Sequence, residues 1–213
     1  MKKLKKEYLF IAILLVLFFI LTMFVISEKT SVFDEKIFNN IIKLENNILT
    51  KILYIITNIG STIGVIVILL FLVVLFMKKK LLSDFKYVIA NVGIGVIIMK
   101  LLKQIIKRVR PSWKWIVQSG FSYPSGHTIS AILLYGTLIL LTGKKMNKKY
   151  KKPIIIFLSI MIFLISISRI YFGVHYVTDV VASLILGLII LIISNIFMNK
   201  EFKNDKDKNK KTI

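Results

Sequence analysis

Long apolar runs constrain this chain more than any other feature. A helix needs roughly 20 mostly apolar residues to cross the hydrocarbon core of a bilayer, and six segments approach that length: 8–27, 52–77, 85–102, 128–142, 153–168 and 176–198. Inside lipid the backbone must satisfy its own polar groups, which makes each run a helix. The expected fold is all-α, a polytopic membrane protein with six transmembrane helices. A mean hydropathy of +0.79 and 56% hydrophobic residues agree, being too apolar for a wetted soluble surface. The fourth and fifth runs are short, so their polar flanks need something other than lipid to solvate them.

The first run follows MKKLKKE, which has the look of a signal-peptide n-region. Its length and the lack of a small-x-small cleavage pattern predict an uncleaved anchor instead. The expected organisation is one membrane domain over 1–199 and a charged tail over 200–213, disordered by composition. Residues 32–52 carry apolar side chains at helical spacing between Asn, Lys and Glu, which fits an interfacial amphipathic helix or a simple connector.

A formal charge of +21 could belong to a nucleic-acid binder, but the lysines cluster just outside the apolar runs. That placement is a topology signal, and no nucleic-acid partner is expected. The clusters at 2–6, 78–80, 144–152 and 200–211 put 19 basic residues on one side, against 10 on the other. Both termini are therefore expected in the cytoplasm. One loop resists the rule: KQIIKRVRPSWK, residues 103–114, concentrates positive charge where it should be scarce, which points to a local job for those charges. The chain has no cysteine, so neither disulfides nor thiolate metal sites enter.

Only three arginines stand among 28 lysines. Arginine offers a planar fork that binds phosphate oxygens in pairs, whereas lysine is a point charge. Arg110 and Arg169 are read as anion ligands, and Arg108 as a juxtamembrane anchor. Lys103, Lys107 and Arg110 fall at i, i+4 and i+7, one face of a helix that Pro111 would end. Ser125 and Gly126 stand at the start of the fourth span, where unpaired amides and the helix dipole favour an anion. His127, one of two histidines, follows them. The other, His175, lies i, i+4 from Asp179, so a carboxylate can hold one imidazole nitrogen protonated and leave the other as nucleophile or base. An aspartate at membrane depth is costly without such a partner. Trp113 and Trp115 suit interfacial anchors or a lid. Lys100 can line the same cavity or snorkel outward.

KQIIKRVRP (103–111), PSGH (124–127) and SRIYFGVHYVTD (168–179) together resemble the three-part signature of the type 2 phosphatidic acid phosphatase (lipid phosphate phosphatase) superfamily. The resemblance implies a site at the outer membrane interface. There His175 attacks phosphorus, Asp179 orients it, and His127 protonates the leaving oxygen and later helps to activate water. Lys103, Arg110, Ser125, the Gly126 amide and Arg169 hold the phosphoryl oxygens. It implies no metal and no cofactor, and partners limited to the bilayer and a lipid phosphate. Undecaprenyl pyrophosphate is the first substrate expected, with phosphatidylglycerophosphate or phosphatidate as the alternative. A non-catalytic lipid or anion transporter is a different class; the inverted repeats common in transporters are not visible in the sequence.

Overall fold

The computed structural model describes residues 2–78 and 81–211. Lys79 and Lys80 of the lysine cluster at 78–80, and the end of the tail at 212–213, lie outside the described residues. Among the described residues there are eight α-helices and no strands: α1 (Lys2–Ile26), α2 (Ser31–Ile42), α3 (Asn47–Ile59), α4 (Thr62–Lys78), α5 (Leu82–Ile106), α6 (Gly126–Lys145), α7 (Lys148–Tyr171) and α8 (Val177–Lys211). Five are long and apolar enough to cross a membrane, and α3 with α4 supply a sixth crossing if counted as one span bent by 59°. The protein is a multi-pass, wholly helical membrane protein.

The second apolar run therefore differs from the straight helix expected over 52–77. Asn46 caps α3 by accepting a hydrogen bond from Leu49 N at 2.8 Å, and α3 stops at Ile59. Ser61 Oγ then accepts from Gly64 N at 3.1 Å and starts α4. The break depends on small residues. A Cβ at Gly60 would lie 2.5 Å from Ile165 Cγ2, and one at Gly64 would lie 2.4 Å from the Asn58 carbonyl. The amphipathic stretch 32–52 is accordingly divided between α2 and the start of α3.

α6 is the centre of the bundle, with α5, α7 and α8 packed around it. Residues 131–137 form a continuous buried stretch of it. Close approach is again set by glycine. Leu133 of α6 occupies the space over Gly95 of α5, and Ile132 the space over Gly187 of α8. The Asn91 amide donates to Thr137 Oγ1 at 2.8 Å and Ser194 Oγ at 3.0 Å, joining α5, α6 and α8 inside the apolar bundle; such interhelical bonds are worth about 0.6 kcal/mol each. α1 lies outermost against α8, and its large apolar side chains, such as Phe19 at 65% exposure, face outward as lipid-facing residues do.

The short fourth and fifth runs are longer helices than hydropathy alone reveals. Their polar flanks, His127 on α6 and Arg169 on α7, are helical and solvated by neighbouring protein. Lys145 pairs with Asp84 at 2.5 Å and Lys86 with Glu201 at the end of the bundle opposite those flanks. The charged stretch after Lys200, expected to be disordered, continues α8 as helix to Lys211. Once a helix is nucleated, each further residue adds a hydrogen bond, and Lys and Glu are good helix formers.

Candidate active site

The C-terminal ends of α5 and α7 and the N-terminal ends of α6 and α8 meet at one end of the bundle. His175 sits in the connection between α7 and α8. Gly173 turns the chain there with φ +61°, a conformation open to glycine at no steric cost, and a Cβ would come within 2.8 Å of Trp113 Cδ1. The Val174 and His175 amides fold back onto the Arg169 carbonyl at 3.2 and 3.3 Å. His175 is thereby fixed by backbone before its side chain makes any contact.

Asp179 stands on the first turn of α8 and is fully buried. Its Oδ2 lies 3.3 Å from His175 Nδ1 and accepts from the Tyr176 amide at 3.0 Å; its Oδ1 accepts from Arg108 Nη1 at 2.6 Å. With Nδ1–H assigned as the donor to the carboxylate, the lone pair of Nε2 is on the far side of the ring, where it accepts from Arg110 until a substrate takes that donor. There Nε2 lies 3.2 Å from Arg110 Nη1. Burial, then the charges of Arg169, Arg110 and Lys103, hold the His175 imidazole well below its ordinary range, so it is neutral at working pH.

Three cations act on that ring, Arg110 by direct contact and Lys103 and Arg169 through their charge. Arg110 is clamped by carbonyls: Nε donates to Gly120 O at 2.9 Å and Nη1 to Val174 O at 2.7 Å. Lys103 donates to the Phe121 and Ser122 carbonyls. Arg169 is 1% exposed, and donates to Thr57 Oγ1 at 2.6 Å and Gln118 Oε1 at 3.0 Å, while its Nε has no protein partner. A buried, unpaired N–H on a charged group is expensive.

His127, on the first turn of α6, lines both a cavity of about 500 Å³ shared with Lys103, Arg110 and His175 and an adjoining cavity shared with Arg169 and Gln118. The first cavity runs into the membrane region past Val96, Met99 and Lys100. Gly126 lines it as well, whereas Ser125 is fully buried beneath the wall, with its Oγ accepting from Thr128 Oγ1 at 3.1 Å. Lys103, Arg110, Gly126, His127 and His175 thus line one cavity and Arg169 the adjoining one, with Asp179 behind His175 and Ser125 reaching neither cavity. The stripe of Lys103, Lys107 and Arg110 does not survive: α5 ends at Ile106 and Lys107 is a left-handed C-cap with φ 50°. Lys107 is exposed beside Glu28 and Arg108, away from the histidines. Trp113 is packed between Phe38 and Tyr176, at 5.0 and 5.9 Å between ring centroids.

Sequence reading missed Arg108, Asp34, Thr57 and Gln118. Arg108 is no lipid anchor: it bridges Asp179 and Asp34. Spacing gave no signal that separates Arg108 from Arg110: residues two apart share a face of an extended chain, yet Arg108 turns to Asp179 and Arg110 to His175 Nε2. Thr57, Gln118 and Asp34 meet their partners across 51 to 144 positions of sequence, and nothing local distinguishes them.

The PAP2 superfamily model matches residues 85–203, more than half of the chain. This protein belongs to the PAP2 superfamily. It is 37% identical over 111 residues to phosphatidylglycerophosphatase B of Bacillus subtilis (strain 168), a match covering 51% of this chain and 55% of that protein. The chain thus spans about half the length of that relative. Its fold resembles the crystal structure of a transmembrane PAP2-type phosphatidylglycerolphosphate phosphatase from Bacillus subtilis, with a TM-score of 0.82 at 28% identity, covering 89% of this chain and 96% of the other. It also resembles LpxE of Aquifex aeolicus, with a TM-score of 0.62 at 26% identity, covering 75% and 92%.

Proposed function

We propose that this protein is a membrane lipid phosphatase that removes a terminal phosphate through a phosphohistidine on His175. The observation that carries this reading is the His175 imidazole held between Asp179 Oδ2 on Nδ1 and Arg110 on Nε2, beside a cavity shared with Lys103 and His127. Nε2 attacks phosphorus as the ester P–O bond breaks, and the leaving oxygen takes a proton from His127. Asp179 stabilises the positive charge that develops on the ring. Water then attacks phosphorus, His127 accepts its proton, the N–P bond breaks and inorganic phosphate leaves. Lys103, Arg110, Arg169 and the Gly126 amide hold the phosphoryl oxygens and take up charge in both transition states, while the buried Ser125 hydroxyl supports the start of α6 through Thr128.

The substrate we favour is phosphatidylglycerophosphate, ahead of undecaprenyl pyrophosphate, which sequence reasoning put first. Two relatives carry that activity in their names, and Lys100 lines the cavity on its membrane side, where it can meet the inner phosphodiester of such a lipid. Because the lysine-rich helix ends lie at the other end of the bundle, the site is assigned to the extracytoplasmic face. Phosphate release from the two lipids and phosphatidate, each in detergent, tests the ranking; faster turnover of undecaprenyl pyrophosphate would reverse it. Lys100→Met is expected to raise KM for phosphatidylglycerophosphate about tenfold, the scale of one lost hydrogen bond to a charged group, with kcat nearly constant. An unchanged KM removes Lys100 from the headgroup site.

The rate should depend on pH with an acid limb set by protonation of His175. A depressed imidazole is protonated only at lower pH, so activity is lost as pH falls through a value below the ordinary imidazole pKa of about 6.5. A kcat/KM profile that instead halves at or above that pH contradicts a neutral nucleophile in the free enzyme, provided that the chemical step limits turnover.

A further inference from the structure

We infer that Asp34 and Arg108 act as positioning residues for Asp179 and, through it, for His175, which makes the outer helix α2 part of the working site. The inference rests on the phosphohistidine reading above. Its basis is a closed set of contacts among three segments distant in sequence. Arg108 uses its two terminal nitrogens on different partners: Nη1 donates to Asp179 Oδ1 at 2.6 Å and Thr178 Oγ1 at 2.8 Å, while Nη2 donates to Asp34 Oδ2 at 2.8 Å and Thr30 Oγ1 at 3.1 Å. Asp34, 1% exposed, accepts in addition from the Thr178 amide at 3.0 Å and the Thr178 hydroxyl at 2.8 Å. α2 thereby grips the first turn of α8 one residue before Asp179. The Arg108 guanidinium also lies over the Tyr176 ring, 3.9 Å from its centroid, and the Tyr176 amide holds Asp179 Oδ2.

A second buried carboxylate has a specific use here. An arginine facing Asp179 alone could present its whole fork to both carboxylate oxygens, the bidentate arrangement that guanidinium favours. Asp34 and Thr30 take one edge of the fork, so Arg108 reaches Asp179 through Nη1 only. Oδ2 is left for His175 and the Tyr176 amide. The buried cluster also costs more desolvation than an apolar contact of the same size, so stabilisation alone is a poor reason for it. As His175 attacks and its ring gains charge, Asp179 must already be aimed at Nδ1; a misplacement on the scale of 1 Å at such a site can cost about a hundredfold in rate.

The test uses the full-length protein in detergent with phosphatidylglycerophosphate in a rapid-quench experiment. It reads the amplitude of the trapped phosphoenzyme burst, its rate constant and lipid affinity. For Asp34→Asn and Arg108→Lys the expected result is a rate constant for phosphoenzyme formation, read in a single turnover, reduced by about ten- to a hundredfold, with lipid affinity within about twofold. Lysine keeps the charge of Arg108 but cannot bridge both carboxylates. The double variant should be no slower than the slower single one, because both act on the same carboxylate. A purely structural role predicts the opposite pattern, with reduced amplitude and an unchanged rate constant per trapped site, and would overturn the inference. Should either single variant fail to fold, Thr30→Val removes one hydrogen bond from Arg108 and leaves both carboxylates; about a two- to threefold loss in burst rate supports the inference, and none overturns it. Wild-type protein without trapped phosphate would overturn the phosphohistidine reading and this inference together. Wild-type protein with the burst, and Asp34→Asn bursting at the same rate, overturns this inference alone.

Discussion

His175→Ala is expected to lower phosphate release by about 10⁴-fold or more, the scale on which removing a nucleophile acts. The loss should fall on the chemical step. Arg110 keeps its bonds to the Gly120 and Val174 carbonyls, and Arg169 its bonds to Thr57 and Gln118, so the variant should still bind the lipid. Fold should persist too, because the connection between α7 and α8 is held by the Val174 and His175 amides on the Arg169 carbonyl, which alanine leaves intact. Turnover of phosphatidylglycerophosphate, with a thermal midpoint measured beside it, checks this. Residual activity above a few per cent of wild type in a folded variant contradicts His175 as the nucleophile.

Asp179→Asn is expected to cost about 10³- to 10⁴-fold in kcat, by analogy with the loss when the aspartate of a nucleophile–histidine–aspartate triad becomes asparagine. Two effects combine. An asparagine offers no charge to stabilise the histidine as it gains positive charge, and its amide can hold the imidazole in the wrong tautomer. It also turns either its NH₂ or its oxygen toward Arg108 Nη1, now 2.6 Å from Oδ1; one orientation opposes two donors and the other gives up the carboxylate at His175. Stability should fall as well, by about 1–3 kcal/mol for the lost charged bond, with Asp34 still pairing Arg108 at 2.8 Å. The measurement is kcat at saturating lipid, normalised to folded protein. A loss below about tenfold would separate Asp179 from the chemistry.

The grouping of His127, His175, Asp179 and the cations was legible because each part of it is local. PSGH sets a turn and a helix start within four residues, and His175 and Asp179 share a face by helical spacing. Arg169 was legible from its rarity among lysines, and its unpartnered Nε is consistent with that reading. Other features depend on packing. NIGS carries the glycine C-cap and serine N-cap of a break, but the unbroken apolar run around it hid this, and the packing of Ile165 over Gly60 is tertiary. The end of α5 at Ile106 precedes Pro111 by five residues; it follows from Ser122 binding the Arg108 and Val109 carbonyls, a contact made across the loop. For the same reason Lys107 was misassigned to a stripe it leaves by adopting positive φ. Asp34 read as one acid among several on an amphipathic segment, and its partner on α8 lies 144 positions away. The contacts that distinguish a positioning residue from a solvated charge are tertiary, and helical period carries no trace of them.

Cations and amides, rather than a bound metal, carry the phosphoryl charge in this account, and His175 carries the phosphoryl group. The most direct measurement is to quench the protein during turnover of labelled phosphatidylglycerophosphate in excess EDTA and map the trapped label. The account predicts an acid-labile, base-stable phosphate on the peptide containing His175, formed at the same rate with and without EDTA. Label on another residue, or turnover that stops in EDTA and returns with a divalent cation, contradicts it.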